Sequence, residues 1–213
     1  MTSNYVLHLF KSIPLLPFIY FQGKRIKREI QILPEAKNPE GFIDINSDKN
    51  LKILFIGESS FAGVGVEQHK NGFAGHFSTV LSEQLNHNIN WKVYAKTGYN
   101  VHKIQKRIIP LIIETTCDLL VIGIGGNDTF ELNQPKKWRQ SIQLLIDDLR
   151  KKFPETPILF AQLPTIEAFP AFPKEMKFVL GNHKDILAQH LKKQVLNNEN
   201  VYFPTEKING GFK

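Results

Sequence analysis

Hydrophobic and polar positions along this chain switch repeatedly between two periods. Lys52–Ile56 (KILFI) is a short apolar run ending at Gly57, the pattern of a strand buried on both faces. Phe73, Phe77, Val80, Leu81 and Leu85 then recur at helical spacing. Trp91–Ala95 predicts a second strand, followed by a helix carrying Ile104, Ile108, Leu111 and Ile112. Leu119–Ile124 (LLVIGI) is the most apolar strand. After it, a helix of about 17 residues opens at Pro135 and carries Trp138, Ile142, Leu145, Ile146 and Leu149. Ile158–Ala161 predicts a fourth strand, Lys174–Leu196 a long helix, and Val201–Phe203 a short fifth strand.

Strands alternating with helices of this length imply an α/β fold, a parallel five-stranded sheet covered on both faces. Ligands of such sheets sit outside the carboxyl ends of the strands. The loops after Ile56, Ala95, Ile124 and Ala161 are therefore the places to look for chemistry.

The chain divides into an apolar and basic segment (1–32), a linker (33–50) and a domain of alternating strands and helices (51–213). Residues 5–21 (YVLHLFKSIPLLPFIYF) are apolar and aromatic but are interrupted by His8, Lys11, Pro14 and Pro17. A membrane-spanning helix wants about 20 mostly apolar residues without such breaks. A secretory signal wants its positive charge before the apolar run and a small-residue cleavage site after it; here the charge follows and no such site appears. Lys24, Arg25, Lys27 and Arg28 come next, so residues 5–28 suit either an anionic membrane surface or packing against the domain. Residues 33–50 turn to Pro, Asn, Gly, Asp and Ser, which reads as a connection.

Composition changes this picture little. With 42% hydrophobic and 22% charged residues the chain is globular, and its length of 213 residues suits one sizeable domain. The net charge of +7 invites a nucleic-acid reading, but beyond Arg28 the basic residues alternate with acidic ones as on a solvated face. No nucleic-acid partner is expected. Cys117, the one cysteine, excludes an internal disulfide and any multi-cysteine zinc site, and it is compatible with a reducing compartment. The expected location is cytoplasmic, peripheral at a membrane if residues 5–28 bind one.

Three loops carry the chemistry. The first is Gly57-Glu58-Ser59-Ser60-Phe61-Ala62-Gly63-Val64-Gly65. A serine two residues past a buried strand can be held exposed at the sheet edge, with backbone N–H groups facing a developing negative charge. The same loop also reads as a plain strand-to-helix turn with a serine cap. The second loop is Ala95-Lys96-Thr97-Gly98-Tyr99-Asn100, by itself only a turn. The third, Gly123-Ile124-Gly125-Gly126-Asn127-Asp128, puts a neutral amide donor at the end of the central strand. Neither glycine-rich loop matches a dinucleotide fingerprint or a phosphate-binding P-loop. No cofactor and no metal is expected, and a flavin- or nucleotide-binding reading lacks its phosphate grip.

Taken together, the loops resemble the SGNH (GDSL-type) serine esterase family. Ser59 matches its nucleophile in a G-D/E-S-x-x-x-G context, Gly98 its backbone oxyanion donor and Asn127 its side-chain oxyanion donor. The resemblance implies a flavodoxin-like three-layer α/β/α sandwich over roughly Leu51–Phe203 and a small-molecule carboxylic ester as substrate. Glu58 stands where the family usually has Asp, a change expected to be tolerated because that carboxylate is not the nucleophile. Gln162–Pro173 (QLPTIEAFPAFP) suggests an apolar wall near the pocket or a packed connection.

The family also carries D-x-x-H after its last strand, the histidine acting as general base and the aspartate orienting it. No Asp in this chain has a His three residues on. His102, His183 and His190 read as surface histidines. The expectation is a chain that stops before this motif and before the family's C-terminal helix. Loss of a triad histidine lowers a serine hydrolase by about 10⁶-fold, so an impaired esterase is expected. The alternative is a non-catalytic ligand-binding or membrane-associated module that keeps the pocket.

Overall fold

The computed structural model describes residues 15–29 and 33–204. Six strands form one sheet: β1 (Glu40–Ile43), β2 (Asn50–Gly57), β3 (Asn88–Ala95), β4 (Leu119–Gly123), β5 (Ile158–Phe160) and β6 (Val201–Tyr202). Their order is β1-β3-β2-β4-β5-β6. All pairings are parallel except β1 with β3, which is antiparallel. Leaving out β1, the order is that of a flavodoxin-like sheet.

The pattern predicts five strands and none before Leu51, so β1 is a correction. Its four residues, EGFI, lack the run of β-branched or apolar positions that marks a strand. What makes it one is its partner: Gly41 lies opposite Trp91, where an added Cβ would fall 2.4 Å from the indole ring. Glycine lets the edge strand lie against that ring.

The helices are α1 (Leu16–Glu29), α2 (Phe73–Leu85), α3 (Val101–Arg107), α4 (Gly126–Phe130), α5 (Pro135–Lys152) and α6 (Lys174–Val195). One sheet face, with Leu54, Ile56, Leu120 and Ile122, packs against α3, α5 and α6. The other, with Ile53, Phe55, Ile89, Trp91 and Val121, packs against α2. These are the three layers. In α1, Ile19 packs on Ile166, Met176 and Leu180, joining this helix to the connection after β5 and to the start of α6.

Local chemistry explains the boundaries. The Asn100 side chain caps α3 by accepting the Lys103 N–H. The helix expected to continue through Ile112 stops at Arg107, because Pro110 has no N–H to donate, and a 3₁₀ turn at Ile109–Leu111 takes over. Asn86, left-handed at φ 55°, closes α2. Pro17, read as a break in the apolar run, falls in the first turn of α1, where proline is tolerated. Residues 5–14 lie outside the described residues. So does 205–213, the segment bearing on the expected missing C-terminal helix.

At the sheet centre Gly57 and Gly123 are register partners on β2 and β4. A Cβ on Gly123 would lie 2.1 Å from the Phe61 ring, which is buried in the α2-side core. Replacing Gly123→Ala should therefore displace Phe61 and lower stability by about 2 kcal/mol. The expected result is a lower urea midpoint with an unchanged slope; an unchanged midpoint would mean that Phe61 relaxes freely.

Candidate functional site

Strands β2 and β4 are neighbours, yet the chain leaves them toward opposite faces, to α2 and to α4–α5. Such divergence opens a crevice at the carboxyl edge of the sheet. Ser59 follows β2 and Asn127 lies in α4, directly after β4, so the two stand on either side of that crevice. Gly98 follows β3, the other neighbour of β2.

The first loop is a tight turn. Both Phe61 N–H and Ala62 N–H donate to the Glu58 carbonyl at 2.8 Å, and Glu58 N–H continues the sheet by donating to the Gly123 carbonyl at 3.0 Å. Phe61 stacks on Phe73 of α2 with ring centroids 4.7 Å apart, which pins the turn to the core. At Gly63, φ is +66° and an added Cβ would meet Ala36 at 2.5 Å, so both conformation and space call for glycine. Ser59 itself is half-buried. Among the described residues, neither its hydroxyl nor its N–H has a hydrogen-bond partner within the chain.

The second loop is held from outside. The Glu35 carboxylate accepts the Thr97 N–H at 2.8 Å and pairs with Lys96 Nζ at 2.8 Å. Burial pushes the Glu35 carboxyl up, but the bonds from Lys96 and Thr97 outweigh it and bring the group below the usual range. Gly98 is left-handed at φ +77°, and a Cβ there would meet nothing within 4 Å, so its backbone faces open space. Among the described residues its N–H also has no partner.

The third loop is bound to the first by one side chain. Glu58, only 3% exposed, accepts Gly126 N–H on Oε1 at 2.5 Å and Asn127 N–H on Oε2 at 3.0 Å. Oε2 also accepts from Asn127 Nδ2 at 2.5 Å, and the same Nδ2 donates to the Tyr99 carbonyl at 3.2 Å. Asp128 ties this loop to the second, accepting Val101 N–H at 3.1 Å and Asn133 Nδ2 at 2.9 Å. The three predicted residues are thus brought together through their neighbours: Glu58 precedes Ser59, Tyr99 follows Gly98, and both bond Asn127.

Electrostatics single out the same carboxylates. Burial pushes the Glu58 carboxyl up to about 7 against the bonds from Asn127 and Gly126, with the Asp128 charge adding to the rise. Burial also raises Asp128, against bonds from Asn133 and Val101. Neither group was a predicted site residue. A buried acid whose partners lie about 70 positions away in the chain leaves no local signal.

The connection after β5 lies against the third loop. Leu163 lies 2.8 Å from where a Gly125 Cβ would stand, and Pro164 lies 3.2 Å from that of Gly126. Beyond it, Phe169 and Phe172 stack at 5.0 Å, and both meet Phe130 of α4 edge-on. Gln162–Pro173, read either as an apolar wall near the pocket or as a packed connection, thus lies against Gly125, Gly126 and Phe130.

His183 corrects the surface reading: it is 2% exposed, with Nε2 at 3.1 Å from the Asn133 carbonyl. It is buried because the contact of α6 with α4 carries it inward. His102 is exposed and His190 half-buried.

The sequence profile of the GDSL-like Lipase/Acylhydrolase family matches residues 55–209. This chain belongs to that family. GDSL-like members are ester hydrolases acting on small-molecule esters or lipids. Solved structures agree on the fold. An extracellular lipase from Streptomyces rimosus is 14% identical with a TM-score of 0.52, over 72% of this chain and 79% of its own. An esterase, EstA, from Pseudoalteromonas sp., solved inhibited by monoethylphosphonate, is 12% identical at 0.52, over 71% and 76%. The lipase Lip_vut3 from a goat rumen metagenome is 16% identical at 0.53, over 72% and 79%. No curated protein matches the chain in sequence.

The Glu58 environment predicts a pH dependence of stability. The folded chain holds this proton up to about 7, whereas the ordinary glutamate value is 4.5. Its contribution is therefore fully present below pH 4.5 and is lost as pH rises to about 7. The displacement corresponds to about 3 kcal/mol. Urea titrations of the wild type should show this decline, and Glu58→Gln should remove most of it; equal slopes in both would place the titration elsewhere.

Proposed function

We propose that this GDSL-like chain acts on carboxylic esters through Ser59 as nucleophile, with the N–H groups of Ser59 and Gly98 and the Asn127 amide as oxyanion donors. The single observation that carries the reading is a pair of unspent backbone donors beside an unspent serine hydroxyl at the carboxyl edge of the sheet. In a well-packed protein nearly every backbone N–H is satisfied. Donors left free at a crevice suit an oxygen that becomes negative only during reaction.

In this mechanism Ser59 Oγ bonds to the ester carbonyl carbon and the carbonyl π electrons move onto oxygen, where the donors stabilise the charge. Collapse re-forms the carbonyl and expels the alcohol oxygen, leaving an acyl-Ser59 ester that water then hydrolyses. With no paired histidine to take it, the hydroxyl proton passes to solvent during attack, and the departing alkoxide takes a proton from solvent to leave as the alcohol. These 213 residues contain no Asp-His pair at the family's spacing, so slow turnover is expected of this polypeptide. The aromatic wall of Phe130, Phe169 and Phe172 suits the acyl part of the ester.

A fluorophosphonate probe with p-nitrophenyl butyrate hydrolysis tests the reading. Ser59→Ala should abolish labelling, and Asn127→Ala should lower the rate by about 10²–10³-fold. Labelling that survives Ser59→Ala refutes the nucleophile. A wild type that binds the ester but is neither labelled nor hydrolytic favours the alternative, a non-catalytic binding module.

We further propose peripheral association with anionic membranes through residues 5–28, of which 15–28 are described. Tyr20 is 58% and Phe21 70% exposed, and Lys24, Arg25 and Arg28 are also exposed on α1. Among the described residues, no helix is long and apolar enough to cross a membrane. Exposed aromatic rings beside basic residues fit the interface instead. Co-sedimentation with phosphatidylserine vesicles should fall by about tenfold in a Tyr20→Ala/Phe21→Ala double variant; unchanged binding by that variant and by a chain lacking residues 1–30 would end the proposal.

A further inference from the structure

The arrangement around Asn127 is unusual for an oxyanion donor. Both protons of its amide nitrogen are already in use, one on Glu58 Oε2 and the other on the Tyr99 carbonyl. Among the described residues, nothing donates to Asn127 Oδ1. A charged carboxylate only accepts, so the nitrogen and not the oxygen must face Glu58 while that group is ionised. The unbonded end of the amide is then its oxygen, which would repel an oxyanion rather than hold it.

A proton on Glu58 reverses this preference. Both carboxyl oxygens face N–H donors, Oε1 that of Gly126 and Oε2 those of Asn127. A hydroxyl placed at Oε2 would point its hydrogen at the amide hydrogens. Half a turn of the Asn127 amide relieves the clash: Oδ1 accepts the Glu58 O–H, and the –NH₂ takes the unbonded position.

Resting on the esterase reading of Ser59 and Asn127, we propose that Glu58 is a proton-dependent positioning residue: ionised, it holds the Asn127 amide nitrogen away from the substrate; neutral, it presents that nitrogen as the third oxyanion donor. The proton comes from solvent and no bond to substrate is involved. Asp128 is the strongest charge acting on Glu58, and its repulsion favours the neutral form. Among the described residues, the other hydrogen-bond partners of Glu58, the main chains of Gly123, Phe61, Ala62, Gly126 and Asn127, carry no charge. In the turned state Oδ1 takes the nitrogen's place beside the Tyr99 carbonyl oxygen, a repulsion that the Glu58 O–H bond has to outweigh, and the half-buried carbonyl takes its donor from water.

The test reads the Asn127 amide directly, by ¹⁵N–¹H spectra of the full chain, with the resonances assigned by their loss in Asn127→Ser. In the wild type both amide protons should shift together with a midpoint at about 7, the Glu58 value. Their protection from solvent exchange, relative to an unstructured Asn at the same pH, should fall by about tenfold from the alkaline to the acid side. Glu58→Gln should abolish the titration. Glu58→Asp, which keeps the charge on a shorter stem, should shift the midpoint without abolishing it. A wild-type amide that does not titrate overturns the proposal, as does a titration that persists in Glu58→Gln; the wild-type spectrum decides even if the variants fail to fold. Fluorophosphonate labelling forms the second arm. After correction for serine ionisation, the wild-type rate should drop on the alkaline side of the same midpoint, and Glu58→Gln should show no such drop. A pH-independent corrected rate overturns the role in catalysis. Complete absence of labelling, with the amide titration intact, refutes the esterase reading while leaving the Glu58–Asn127 coupling standing.

Discussion

One buried carboxylate holds the carboxyl edge of the sheet together. Glu58 spans the gap where β2 and β4 send their chains to opposite faces, just beyond the last main-chain bond between them, from Glu58 N–H to the Gly123 carbonyl. Without it, two backbone N–H groups at the start of α4 would be left in a nearly dry site, each costing about 1–3 kcal/mol. With it, the donors are satisfied but a carboxyl group is buried. That burial, set against the bonds from Asn127 and Gly126, accounts for the displaced acidity of the group.

The same device recurs around the crevice. Glu35 accepts the Thr97 N–H, Glu58 those of Gly126 and Asn127, and Asp128 that of Val101. Each acid belongs to a different stretch of chain from the amide it satisfies, so the three loops are cross-linked rather than individually rigid. The segment before β1 takes part as well: Ala36 N–H donates to the Ala62 carbonyl, and the Ala36 side chain fills the space that a Cβ on Gly63 would need. Residues 33–39 thus run along the first and second loops as a strap, a role that their turn-rich composition does not advertise.

How much of this the sequence discloses depends on the range of the forces involved. Strands β2 to β6 and the helices α2, α5 and α6 are written in runs and periods of apolar residues, because burial acts on every residue of such an element. Ser59, Gly98 and Asn127 are proposed from motif context at strand ends, and the family match spans all three positions. Strand β1 is not legible, since its place depends on Gly41 meeting Trp91, far along the chain. Glu58 is half legible: its position in the motif is plain, but its function lies in three donors on another loop. His183 misleads because one histidine on a polar-looking helix gives no sign of the α4 contact that buries it.

The three donors proposed for the oxyanion differ in kind, and that difference would order the site. The Ser59 and Gly98 N–H groups are fixed by main-chain geometry, the first by the turn over Glu58 and the second by a left-handed glycine whose neighbour Thr97 is anchored to Glu35. They cannot be withdrawn without refolding a loop. The Asn127 amide hangs on two rotatable bonds and answers to the charge of its neighbour. On the proposed reading, a site built from two permanent donors and one adjustable donor would stay assembled while its stabilisation of negative charge varied. The long reach of Glu58 is what permits this: a side chain one methylene shorter, starting from the same backbone, has less freedom to meet both the main-chain and the side-chain nitrogens of Asn127.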